Sequence, residues 1–303
     1  MSQPPPAVVN RDDIKERVVA EGDIAFAGRR LGGAAGAARI GASLYVVPPG
    51  MRQMPVHVHG DEEEIFYVLG GGGLSWQGGA ACVVAPGDAI VHRPGGRPHT
   101  FLAAAAGLEL LAFGSGSDTS ITHLPRAQVM WCGPRWVPLH SPHPFRAEGL
   151  AGALERPEPG ERPANVVASG EVPAGSPGEV EIRALGCAAG AVKSGLNHVT
   201  LAPGADGAPP HCHALEEELF YVLAGSGTLT LGVGAGEEHP LGPGDVIARP
   251  PSTGVAHSLR AGERGMTYLA YGTREPGDSV YYPRTGQIRL RGLGVTIDVS
   301  PEP

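Results

Sequence analysis

The chain has 303 residues, a formal net charge of -8 and only two lysines, Lys15 and Lys193. That balance argues against a surface that tracks nucleic-acid phosphates, and no apolar run approaches the roughly 18 residues of a membrane span. The 47 glycines and 30 prolines punctuate short apolar runs, the pattern of many short strands joined by tight turns.

In chain order, residues 1–30 read as a polar lead-in, with one short helix expected over 11–19. From Leu31 the pattern becomes strand–turn–strand, and Leu44 to Val47 run into the turn Pro48-Pro49-Gly50. His57 and His59 then stand at i and i+2. On a strand that spacing puts both rings on one face, roughly 7 Å apart. A short acidic turn follows, and a second strand is led by a glutamate. If these strands pair as a hairpin, the carboxylate returns beside the histidines. Gly70 to Gly73 reads as a hairpin turn, and 74–76 as the next strand. Cys82 to Val84, the Pro86-Gly87-Asp88 turn, Ala89 to His92 and a loop to Pro98 precede strands at 99–102 and 108–113.

The same order recurs about 155 residues later. His211 and His213 precede Glu218, Pro243-Gly244-Asp245 matches the first Pro-Gly-Asp turn, and His257 matches His99. Gly232 to Gly236 reads as another hairpin turn. A repeat this long signals a duplicated domain, not a solenoid. The expected division is 1–150, a Pro-rich linker at 151–178, and 179–303. Trp131 and Trp136 are expected to pack the strap before the linker. Ile65/Tyr67 and Leu219/Tyr221 alternate with other apolar residues, so both faces of those strands need cover. The other half or a second chain could supply it, and self-association into a homo-oligomer is expected.

Two imidazoles and a carboxylate converging on one point make a metal site. A third histidine completes each set, His99 after Pro94-Gly95-Gly96-Arg97-Pro98 and His257 after Pro251-Ser252-Thr253-Gly254-Val255-Ala256. These motifs resemble the cupin superfamily: His-x-His, three or four residues, Glu, six residues, Gly; then Pro-x-Gly-x-x-His. The resemblance covers about 100 residues in each half. It implies an all-β chain of two tandem cupin β-barrels (double-stranded β-helix, or jelly roll), that is, a bicupin. The second copy carries one extra residue between Pro251 and Gly254.

The implied metal ligands are His57, His59, Glu64 and His99 in one half and His211, His213, Glu218 and His257 in the other. Glu64 and Glu218 double as the catalytic carboxylates. Glu63 and Glu217 are the alternatives, while Asp61, Glu62 and Glu216 read as solvated turn charges. His92, His123, His140, His143, His198 and His239 read as ordinary core or surface residues. Each set suits one divalent transition metal, Fe, Mn, Ni, Co or Zn.

The resemblance further implies quercetinase-like dioxygenases or oxalate decarboxylases. In the oxalate family an arginine lies three residues before the His-x-His pair. Here those positions are Met54 and Ala208. The expectation is a metal-dependent oxidoreductase, a dioxygenase acting on a small aromatic or dicarbonyl substrate walled by Phe66, Trp76 and Phe101. The alternatives are an oxalate-type decarboxylase, a metal-dependent isomerase or lyase, and a non-catalytic binding bicupin. A phosphosugar isomerase would need a basic mouth, for which Arg52, Arg93 and Arg97 are candidates. The N-terminus lacks an apolar leader core and the four cysteines form no C-x-x-C pair, so a cytoplasmic protein is expected.

Overall fold

In a computed structural model, the structure describes residues 8–116, 120–132, 135–137 (backbone only), 143–175 and 178–299. The Trp136 side chain and His140 lie outside the described residues. Strands dominate, and the longest described helix is Pro144–Leu150. None is long and apolar enough to cross a membrane.

Each half pairs a large antiparallel sheet with a four-stranded one. The first large sheet runs Val166–Ala168, Asp88–His92, Glu64–Gln77, His99–Ser115, Ile40–Val47, Ile24–Arg30, Arg17–Glu21, with Ala80–Val84 on Glu64–Gln77. The second runs Val9–Asn10, Asp245–Arg249, Glu218–Leu231, His257–Thr273, Ser194–Leu201, Val180–Arg183, with Glu237–Leu241 on Glu218–Leu231. These hydrogen-bonded ladders stay open instead of closing into rings, and two cupin sandwiches result.

Two local expectations are corrected. No helix forms over 11–19. Asn10 accepts from the Asp12 N–H and caps a single 3-10 turn, Arg11–Asp13. The β-branched Val18 and Val19 instead sit opposite Ala27 and Phe26 in a hairpin closed at Gly22, φ +60°. Gly70 to Gly73 is not a turn either, because Glu64–Gln77 continues through it against His99–Ser115. The register slips twice there, and a Cβ on Gly71 or Gly73 would strike the carbonyl of Gly107 or Leu102. These glycines permit a bulge and close strand approach. Gly232 to Gly236 does turn between two paired strands.

The two halves cover each other's second faces. Ile65, Tyr67, Leu111 and Phe113 share one core with Leu219, Tyr221, Leu269 and Tyr271. Phe113 and Tyr271 stack at 5.1 Å and 17° across it. Each fully buried side chain of this size contributes roughly 1.5–3 kcal/mol relative to exposure.

A reciprocal polar latch flanks this core. The Glu63 carboxylate accepts from the N–H groups of Val192, Lys193 and Ser194 and from the Ser194 hydroxyl, at 2.7–3.2 Å. The Glu217 carboxylate accepts from the N–H groups of Ala38, Arg39 and Ile40, at 2.6–2.7 Å. Both glutamates are wholly buried. The two alternative ligands thus point away from the histidines, as alternation along a strand dictates.

Candidate metal centres

The His-x-His segment does not fold back on the glutamate strand. Val58–His59 pairs with Ile121–Leu124, and His57 exchanges backbone hydrogen bonds with His99. Two anchors hold the acidic turn away from a hairpin: Gly60 N–H donates to the Ile121 carbonyl, and Glu63 is pinned to 192–194. The carboxylate arrives from another side. Glu64 opens its strand between Gly114 and His92, and its neighbours carry His99 to the same point.

The convergence holds. Glu64 Oε2 lies 3.3, 3.2 and 3.0 Å from the Nε2 atoms of His57, His59 and His99. Glu218 Oε2 lies 3.5, 3.4 and 3.0 Å from those of His211, His213 and His257. Other contacts set the tautomers. His57 Nδ1 donates to the Pro55 carbonyl at 2.8 Å, His211 Nδ1 to Pro209 at 2.7 Å, and His99 Nδ1 to Arg97 at 3.2 Å. A neutral imidazole that donates through Nδ1 presents a lone pair at Nε2. Lone pairs then face a carboxylate oxygen across about 3 Å, an arrangement that calls for a cation between them. Glu218 Oε2 and His257 Nε2 are buried with no hydrogen-bond partner, which fits the same donor set. Among the described residues, His57, Glu64 and His99 in the first half and His211, Glu218 and His257 in the second therefore each form a cluster built for a divalent metal, and a further group, His213, Glu216 and Asp278, adjoins the second.

Burial would push both carboxyl groups up. Charge from His59 instead holds Glu64 well below the usual range, and the histidines around Glu218 hold that carboxyl down as well. Burial and then His57 push His99 down to about 4 despite Glu64. Burial also lowers His59, but Glu64 and Glu62 outweigh it and raise the ring to about 10.

Several neighbours escaped the sequence reading. Glu62 is no solvated turn charge: its Oε2 lies 3.1 Å from His59 Nδ1, which Thr122 Oγ1 also approaches at 3.1 Å. Glu216 is buried and bonded to Arg291 and the Glu275 N–H. In the second half His213 Nδ1 donates to the buried Asp278 at 2.7 Å, and Asp278 also takes the N–H groups of Leu215 and Glu216. His92 is no independent core residue. Its ring stacks on His99 at 3.5 Å and 2°, and its Nε2 has no partner. Burial pushes its pKa well below 6.5. No motif signals Thr122 or Asp278, which lie 63 and 65 residues from the histidines they support.

The expected substrate wall is also corrected. Phe66 and Phe101 are fully buried behind the cluster, 4.8 Å apart, in the apolar core of the first half. Trp76 packs with a separate group around Val56, Leu102 and Leu154. The cavity that reaches His57, His59 and Glu64 measures about 340 Å³ and is walled by Phe26, Tyr45, Trp131 and Phe145. Trp131 thus lines a cavity and is not only strap packing. The basic mouth differs too. Arg52 is fully buried between Asp23 and Glu148, Arg93 donates to the Gly190 carbonyl, and Arg97 lies against Gly78. Arg17, Arg29 and Arg30 line the cavity instead.

This fold and these paired clusters define a duplicated metal-binding cupin. The cupin domain family matches residues 43–112 and 197–270, one match per half, and the chain is a bicupin of that family. The solved structures it resembles include oxalate decarboxylase from Bacillus subtilis. A deletion mutant superposes with a TM-score of 0.61 at 18% identity, covering 89% of this chain and 78% of that one. The structure of that enzyme at pH 4.6 gives 0.60 at 18%, covering 89% and 77%. A third, described by its Mn(II) centres, gives 0.60 at 17%, covering 89% and 78%. At this identity the likeness establishes the fold. No curated protein matches the chain.

Proposed function

We propose that the chain is a metal-dependent oxidoreductase of the dioxygenase type, working at its N-terminal centre on an aromatic or dicarbonyl substrate. The observation that carries this reading is the 340 Å³ aromatic cavity opening on His57, His59 and Glu64, with Met54 in its lining. That volume suits an organic substrate larger than oxalate. His57, His59, Glu64 and His99 would hold one divalent ion, and His211, His213, Glu218 and His257 a second. A redox-active ion held there would supply an electron-rich centre for O₂ chemistry. The chain's own part is to position and to exclude water. Phe26, Tyr45, Trp131 and Phe145 orient a planar substrate, and Glu64 stays ionised because its neighbours hold its pKa down.

Oxygen uptake over a panel of flavonols, diketones and catechols tests this, with protein loaded with Fe, Ni, Mn or Co. Glu64→Ala should abolish uptake and Glu218→Ala should leave most of it. No uptake with any metal and substrate sinks the reading. A second reading, decarboxylation, draws on the fold shared with oxalate decarboxylase. CO₂ release without O₂ uptake would select it.

Three lesser readings accompany this one. Self-association is proposed through the edge strand Val295–Asp298, whose Val295 and Ile297 are exposed, and light scattering on the eluting protein tests it. A reducing, cytoplasmic compartment is proposed because all four cysteines are free. The division at 150 and 178 is proposed with the strands Val9–Asn10 and Val166–Ala168 completing the second and first sheets. Each unit made alone would lose an edge strand.

A further inference from the structure

The cavity over the N-terminal cluster runs against the charge of the chain. The protein carries -8 overall, yet the lining holds three guanidinium groups, Arg17, Arg29 and Arg30, and one carboxylate, Glu64. Arg29 is tied to Glu16 at 3.0 Å. Among the described residues Arg17 and Arg30 have no carboxylate partner, and both are exposed. A solvated arginine on an edge hairpin is ordinary. Two that register places on the cavity face of the sheet are not.

That placement follows from pairing. Arg17 lies opposite Gly28, Gly28 opposite Tyr45, and Arg30 opposite Ser43. Residues directly opposite on neighbouring strands share a face, so both arginines stand on the face of Tyr45 and Ser43, which line the same cavity. Gly28 leaves the row open between Arg17 and Tyr45. A Cβ there would press on the Phe26 ring, 3.1 Å away. Arg30 lies three strands from the glutamate strand, about 14 Å along the curved sheet at about 4.8 Å per strand and less across the cavity. A ring fits between the two ends. The second half has no such pair. Its sheet ends at Val180–Arg183, Ala184 follows where the first half has Arg30, and Arg183 is bound to the Val172 carbonyl and Glu181.

We propose that Arg17 and Arg30 form an anion subsite, selecting a substrate whose carboxylate lies at the end remote from the histidine cluster. The proposal rests on the reading that substrate occupies this cavity. It assigns the anion contact to the N-terminal hairpin, not to the position of Met54. A guanidinium fork matches a carboxylate in shape as well as charge.

The test compares 3,4-dihydroxybenzoate with catechol, which differ by one carboxylate. Binding to the full-length Mn(II)-loaded protein is measured by titration calorimetry, with metal content determined on the same samples. The carboxylate should tighten binding about tenfold or more, as expected for charge-assisted hydrogen bonds, and added salt should erode that gain. Arg17→Gln with Arg30→Gln should erase it while catechol affinity and metal content stay unchanged. Arg29→Gln should retain most of it. Equal affinity for the two ligands in the wild-type protein, or a preference that survives the double substitution, overturns the subsite. If no metal loads, the functional reading fails by itself. The same pair on metal-free protein then decides the subsite: an arginine-dependent preference supports it, and no preference overturns it.

Discussion

The two halves present the same three imidazoles and one carboxylate in different surroundings. Around the first set, the support for His59 comes from Thr122 and Glu62, the ring behind His99 is His92, and an aromatic cavity lies in front. Around the second, the buried Asp278 grips His213, the Tyr282 ring lies 5.9 Å from His211, and Arg249 takes the place of His92 opposite the ligand glutamate. Arg249 donates to the Val255 carbonyl and adds a fixed positive charge behind that cluster. Both centres have a carboxylate on a ligand histidine, but Asp278 is wholly buried and closer to its ring than the partly exposed Glu62, which makes the second centre the stiffer one, whereas the open cavity makes the first accessible. A shared ligand set therefore does not imply a shared task.

The hardest break removes a centre outright. His57→Ala and His211→Ala should each halve the metal per chain, and the double variant should bring it near zero. Elemental analysis after purification checks this. A double variant that keeps wild-type metal would overturn the assignment of both sets. Next in size is the latch between halves. Glu63→Ala strands the buried N–H and hydroxyl of Ser194 and two part-buried N–H groups, and Glu217→Ala strands the buried N–H of Ile40 and two part-buried ones. Each buried orphan costs about 1–3 kcal/mol and water relieves the part-buried ones, so a loss of roughly 2–5 kcal/mol is expected for Glu63→Ala and roughly 1–3 kcal/mol for Glu217→Ala. Urea unfolding with unchanged metal content in the folded protein would separate this from a ligand role. A loss of metal without a loss of stability would return Glu63 or Glu217 to the ligand list.

Much of the ligand set was legible because it is local. The spacing within 57–64 and 211–218 marks which side chains belong to each set, although the carboxylate reaches the histidines along another strand pairing, and the third histidine follows a loop of recurring type. The surroundings were not local. Tyr45 enters the cavity by strand register, Trp131 by a sheet that turns back over the centre, and Asp278 from 65 residues beyond His213. Phe66 and Phe101 misled because sharing a strand face with a ligand does not say which end of the sandwich is open. The helix expected over 11–19 did not form because pairing of Arg17–Glu21 with Ile24–Arg30 decided the outcome.

A gentler break tests the stiffness of the second centre. Asp278→Asn keeps the shape and removes the charge that orients His213. Metal affinity at the second centre should fall roughly 10–100-fold, the usual cost of losing such a partner, with the first centre unchanged. Chelator competition on the His57→Ala background isolates the effect. An unchanged affinity would mean that Asp278 serves only the turn at Leu215 and Glu216.

The finest distinction is a proton. In the metal-free protein burial pulls His59 down, but the Glu64 charge and the Glu62 hydrogen bond outweigh it, raising the ring from 6.5 to about 10. Because the folded value is the higher one, the extra proton stabilises the metal-free fold fully below about pH 6.5, and that stability fades as pH rises through about 10. Metal needs the lone pair at Nε2 and must displace the proton. At pH 8, loading the first centre should therefore release close to one proton from His59, and affinity should climb with pH until near 10. Calorimetry of the His211→Ala variant in buffers of different ionisation enthalpy counts the protons. Glu62→Gln removes one of the two charges that hold the imidazolium, so the count at pH 8 should fall by a fraction of a proton. No proton release from the first centre at pH 8 would show that His59 is already neutral there, and that the contact with Thr122 sets its tautomer.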